Sequence, residues 1–593
     1  MSSLNVCTDR VNLPLIAMFR HLPILSFCVF LVACATPPPT PAVSALEPAE
    51  EPPVAIEPIE KPIPAGSVYP LLVAEFALRR GAYDVALENY LEQSRQLEEP
   101  DVRAQATRLA QFMRRDPEAL ASAQLWVQAD PDNIEANNVL ATLLIRGGRP
   151  TEALPYLAVV TRSGEQAQYP MLLKGFRTMT PAQQAELVQG INQMAVEFPE
   201  DTQILITQAL IHDELGQPDQ ALNKLERVFA EDPHQPQAVL LEAKLLLDSD
   251  AKKPFQRLEA TLAEDPDNSR LRLQYARLLT RTDIEGARAQ FKILHSQSPG
   301  DGDLLFSLAL ISRETNNPEQ ARNYLQQMLK LGLRTDEAHY YLGRIAEEEA
   351  NLNEAVAQYK QVESGGDFMN ANNRIGYILL GADEGARLHG YMSQLRNKYP
   401  DQREALYALQ VDLLNRSQNT VASMALVNEA LEEYPQSTAL LYSRSIIAEQ
   451  QDNLALMESD LRSIIAKEPD NASALNALGY SLANRTERYD EAYPLIVRAL
   501  ELQPDEPAIL DSMGWILYRQ GSYPEALEFL SRAYIKFPDP EVAAHLGEVL
   551  WVTGETDAAV DVWRGAMLKD PDHKILKETL ERLGVTTLTG TIE

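Results

Sequence analysis

The amino-acid sequence predicts an all-α fold, a solenoid of helix-turn-helix units, and three observations carry that prediction. The first is punctuation by proline in an acidic or amide setting. Pro199, Pro233, Pro266 and Pro299 are spaced by 34, 33 and 33 residues, and Pro400, Pro435, Pro469, Pro504, Pro538 and Pro571 by 35, 34, 35, 34 and 33, with 101 residues between the two series. A fixed period of this size marks repeated supersecondary units. The second is apolar spacing inside each block: Leu510, Met513, Gly514 and Leu517 recur at i, i+3, i+4, i+7, which places them on one face of a helix. The third is the placement of small residues. Gly514, Ala526 and Ala533 before Pro538 are matched by Gly479, Ala492 and Ala499 before Pro504 and by Gly547, Ala559 and Ala566 before Pro571. Antiparallel helices approach closely only where a side chain is nearly absent.

Charge narrows the function classes. The chain has 593 residues with 53 basic against 85 acidic, a formal net charge of −32, so a phosphate backbone would be repelled and nucleic acid is excluded as a partner. The acids are dispersed along helical segments and read as a solvated surface.

In chain order, the first element is residues 1–33. Arg20 and His21 precede an apolar run from Leu22 to Val32, too short to span a bilayer as a helix, and the segment ends in Leu31-Val32-Ala33-Cys34. The long, acid-containing stretch before it makes Met18 the expected start rather than Met1. Leu-Val-Ala-Cys resembles the bacterial lipobox, which implies diacylglyceryl attachment at Cys34. A plain Ala-x-Ala cleavage site is the alternative. Ala35 stands where aspartate would imply inner-membrane retention, so an outer-membrane, periplasm-facing, lipid-anchored destination is expected. Cleavage before Cys34 removes Cys7 and Cys28 and leaves no pair for a disulfide. Residues 34–66 are rich in Pro, Ala and Glu and read as an extended spacer.

Residues 67–571 form the repeat array, and 572–593 a capping helix and tail. The pattern of large and small residues in this array resembles the tetratricopeptide repeat, closely in the last three blocks and loosely around 166–199, 234–266 and 367–435, where helix pairs are still expected. In that family the first helix of each pair lines an inner groove, and a stripe one step off its packing face looks into it. On the last blocks the stripe comprises Asn476, Tyr480, Asp511, Trp515, Tyr518, Arg519, His545, Glu548 and Trp551. Aromatic and Arg side chains with polar neighbours anchor protein partners, so these residues are expected to bind, with Leu517 as core. The alternative is that Trp515 and Trp551 pack against the next helix pair.

Catalytic and cofactor signals are absent. No histidine sits in H-E-x-x-H or any close pair, so no metal is expected; no Walker or dinucleotide loop and no G-x-S-x-G occurs. A non-enzyme without cofactor is the expectation. Lipobox, proline-rich stalk and an array ending in ALNALGYSLANR and DSMGWILYRQGSYPEAL are similar to LbcA-type lipoproteins of proteobacteria. That resemblance implies an adaptor that presents peptidoglycan hydrolases to a periplasmic carboxyl-terminal processing protease. A passive scaffold for pilus, polysaccharide export or outer-membrane protein assembly is the competing class.

Overall fold

The computed structural model describes residues 63–249 and 253–585. The signal segment, Cys34 and most of the spacer lie outside them. The chain divides into two compact units, Met1–Asn317 and Pro318–Glu593, and among the described residues each is an array of helices without strands.

The proline punctuation has a local mechanism. Two residues after the proline, a polar side chain accepts a hydrogen bond from the backbone N–H three residues further on: Asn133 after Pro131, Asp201 after Pro199, Asn268 after Pro266, Asp301 after Pro299, Ser437 after Pro435 and Asn471 after Pro469. Each such cap satisfies one orphan donor at a helix start and contributes about 1 kcal/mol. The proline thus ends one pair and the cap begins the next.

In the first unit the pairs run from Ala65–Arg79 with Tyr83–Gln96 to Ser269–Leu279 with Ile284–Gln297, followed by Gly302–Glu314. The expectation of a helix pair at 166–199 is not met. Two 3-10 turns, Tyr169–Leu173 and Phe176–Thr178, replace its first helix, and only Pro181–Glu197 is α-helical. Pro170 cannot donate a helical hydrogen bond, and Gly164 and Gly175 adopt φ of +84° and +77°, which breaks helical continuity on both sides. Tyr169, Leu172, Leu173 and Phe176 are nevertheless buried, supplying the apolar contact the missing helix would have made. The block at 234–266 keeps a pair, Pro236–Asp248 with the short Gln256–Glu264.

The second unit opens with Pro318–Leu331 and continues in regular pairs, including the loosely patterned 367–435, where Phe368–Gly381 packs on Gly385–Lys398 and Arg403–Arg416 on Thr420–Glu433. It closes with the single helix Lys574–Arg582, whose Leu576 and Leu580 are buried beside Trp563. Within each pair the small residue marks the crossing. A Cβ at Gly514 would stand 2.5 Å from Leu530 Cγ and 3.0 Å from the Ala526 carbonyl oxygen. Leu530 could rotate, but the backbone oxygen could not. Gly514→Ala is therefore expected to destabilise the second unit by about 1–3 kcal/mol, read as a lowered urea midpoint. Gly390→Ala, where nothing lies within 4 Å of the added carbon, should not.

Candidate protein-binding site

Four helices of the second unit position the predicted stripe: α1 (Ala472–Arg485), α2 (Pro507–Arg519), α3 (Pro540–Thr553) and α4 (Lys574–Arg582). The first three are the leading helices of successive pairs, and α1 packs on α2, α2 on α3, and α3 on α4. Residues one repeat apart therefore meet across helix boundaries. Asp511 and His545, 34 residues apart, are joined by bonds of 2.9 and 3.0 Å between the carboxylate and Nδ1. The other imidazole nitrogen, Nε2, lies 3.4 Å from the hydroxyl of Tyr480, which donates to Glu541 at 2.8 Å. The Trp515 ring stacks on the imidazole with centroids 4.1 Å apart, and its Nε1 donates to Asn484 Oδ1 at 3.2 Å.

A second set of bonds ties the cap into the same layer. Glu548 accepts from the Tyr518 hydroxyl at 2.9 Å and from Arg582 Nη1 at 2.6 Å. Arg519 donates to the Tyr489 hydroxyl at 2.7 Å, and Trp551 packs on Trp563 at 5.7 Å.

Burial separates the stripe into two groups. Asp511, Trp515, His545 and Glu548 expose 6, 6, 2 and 1 % of their surfaces. Asp511, Trp515 and His545 face one another, and Glu548 faces Tyr518 and Arg582, not an open groove; for Trp515 the packing alternative describes the structure. Leu517, expected as core, is only half-buried. The physical reason is that consecutive leading helices touch, so Asp511 and Trp515 of α2 meet His545 of α3. Asn476, Tyr480, Tyr518, Arg519 and Trp551 are half-buried and keep some surface for a partner. Asn476 Oδ1 itself is buried without a hydrogen-bond partner. The stripe missed Asn484, Glu541 and Arg582. Arg582 was within reach of the sequence, since it lies one repeat, 34 residues, beyond Glu548.

The electrostatics follow from this enclosure. Burial works against a charge on His545, but Asp511 first, then Glu541 and Glu548, outweigh it and raise the pKa above the ordinary 6.5. Burial, reinforced by Glu541 and Asp511, pushes the Tyr480 hydroxyl far above its usual range, so it remains a donor. An imidazole with 2 % exposure offers no open face to a substrate. Among the described residues no three His, Cys, Asp or Glu side chains gather as a metal ion would require.

Because the folded pKa of His545 lies above the unfolded one, its stabilisation is complete below the unfolded value and is lost as pH rises through the folded value. The difference in melting temperature between wild type and His545→Gln should therefore be large near about pH 5.5 and shrink by about pH 9. A pH-independent difference would refute the charged pairing. Trp515→Ala should cost about 3–5 kcal/mol, more than Leu517→Ala, in denaturant unfolding.

Comparison with known proteins agrees with this architecture. A family profile described as tetratricopeptide repeat matches residues 306–368, 485–541 and 512–573. Among solved structures, a thermophilic TPR protein of Thermus thermophilus, TTC0263, is 19 % identical with a TM-score of 0.28 and covers 31 % of this chain and 100 % of its own. The Naa15/Naa10 complex bound to HypK-THB gives 12 % identity, a TM-score of 0.34 and coverage of 88 % and 96 %. Likeness at these scores carries nothing about partners. The TPR repeat-containing protein PA4667 of Pseudomonas aeruginosa is 39 % identical over 543 residues, covering 89 % of this chain and 90 % of that protein. On that similarity and on its own helix pairs, this chain belongs to the tetratricopeptide-repeat family, whose repeats form protein-binding scaffolds.

Proposed function

We propose that the chain is a lipid-anchored adaptor on the periplasmic face of the outer membrane, which holds a carboxyl-terminal processing protease and a peptidoglycan hydrolase at once. The observation that carries this reading is the presence of two compact repeat units in one chain behind a single lipobox cysteine, Cys34. Two units, each with its own buried core, offer two partners separate surfaces. Held together, the partners meet at an effective concentration in the millimolar range, with no catalytic group required of the adaptor. In the second unit the half-buried Asn476, Tyr480, Tyr518, Arg519 and Trp551 are the proposed contact residues, backed by the buried Asp511, Trp515 and His545. The choice of protease and hydrolase rests on the likeness of ALNALGYSLANR and DSMGWILYRQGSYPEAL to LbcA-type lipoproteins.

Two measurements test the reading. Unacylated mature protein titrated into a fixed mixture of protease and hydrolase should speed cleavage at low ratio and inhibit at large molar excess, when each partner occupies a separate adaptor. A curve that saturates points to activation of the protease alone, and a flat line favours the passive envelope scaffold. For the anchor, Cys34→Ala should abolish acylation, read by mass spectrometry of the chain recovered from envelopes. An unchanged acyl mass would sink that part of the proposal.

A further inference from the structure

The Ala65–Arg79 helix presents an apolar stripe to solvent. Val68, Tyr69, Leu72 and Phe76 expose 42, 76, 51 and 58 % of their surfaces, and at α-helical pitch they fall within a sector of about 100°. The opposite side, with Ser67, Ala74 and Ala77, is buried against the first unit. In a repeat array a leading helix is covered by the pair before it. Among the described residues no pair precedes Ala65.

We propose that this face rests on a phospholipid surface. The apolar side chains would enter the boundary between headgroups and acyl chains, with Arg79 and Arg80 meeting lipid phosphates. Charge favours that occupant: residues 63–80 carry one acid, Glu75, against Arg79 and Arg80, a balance of +1 in a chain of −32. Length favours it too, and here the argument rests on the anchor proposed above. Ala65 lies 31 residues beyond Cys34, a spacer of roughly 30 Å as a coil and roughly 95 Å as extended polyproline. The helix is thus the first described element beyond the proposed acylated Cys34 and within its reach, so weak partitioning suffices to seat it. No described helix is long and apolar enough to cross a membrane; this one would lie on the surface.

The test uses the unacylated mature chain beginning at residue 35, floated with vesicles of phosphatidylethanolamine and a minority of phosphatidylglycerol. Wild type should float with the lipid. Leu72→Ser combined with Phe76→Ser should lower the bound fraction by about tenfold or more, with unchanged helical circular dichroism, since both side chains are exposed. Ile535→Ser, which removes a still more exposed apolar side chain from the second unit, should leave binding unchanged. Failure of the wild type to float, or an equal loss in the Ile535 variant, would overturn the proposal. So would a lipid-free mass of two chains that falls to one in the double variant, which would assign the face to a second copy. Because the vesicle assay uses unacylated protein, its failure is distinguishable from failure of the Cys34 anchor.

Discussion

Everything in this chain depends on one steric constraint: a helix pair of about 34 residues can close only where a side chain is nearly absent at the crossing. Gly479, Gly514 and Gly547 stand at that point in three successive pairs, and a Cβ at any of them would meet the partner helix at 2.2–2.5 Å. Closure at a fixed point fixes the depth of each pair and therefore the register of its leading helix against the next. A pair buries only part of its apolar surface alone, so stability accumulates between neighbours and not around one centre. The exact repetition of position is what later brings Asp511 to His545 and Glu548 to Arg582.

That register explains why polar side chains occupy a buried layer in the second unit. Taking Asp511, Glu548 and His545 out of water is costly, and the mutual attraction offsets this only with good geometry and satisfied partners. Both conditions are met. Asp511 pairs with the imidazole, Glu548 is held by Tyr518 and Arg582, and Tyr480 donates to Glu541. An apolar layer would pack equally well in several rotations or registers, whereas this one has a single arrangement in which every carboxylate finds a donor. The layer thus replaces generic adhesion with a defined relation between the last three pairs and their cap.

The fold was legible because its signals repeat. Proline, cap and small residue recur block after block, and a weak local indication becomes decisive when it appears at the same offset many times. Where the repetition falters the reading does too: at 166–199 the glycines and Pro170 removed a helix that the period alone would have supplied. The site was legible in composition but not in exposure. The sequence singled out Asp511, Trp515 and His545, which are buried in α2 and α3, yet whether such residues face solvent depends on how closely the next leading helix approaches. That distance is set by tertiary packing, to which the periodicity of a single helix is blind. Asn484 and Glu541 escaped notice because they enter through the neighbouring repeat.

The two ends of the described chain are not treated alike. At the carboxyl end, Lys574–Arg582 buries Leu576 and Leu580 against Trp563 and locks Arg582 onto Glu548, while the outward side of that helix is charged. This is a terminus closed by the chain itself, as a solenoid requires for solubility. At the amino end the leading helix keeps Tyr69, Leu72 and Phe76 in solvent, and among the described residues no helix covers them. A chain that commits a helix and an ion pair on a buried carboxylate to one end, and leaves an aromatic stripe open at the other, treats the two ends differently. Under the anchor proposed at Cys34, 31 residues before Ala65 in the sequence, a bilayer is the neighbour proposed for the open face.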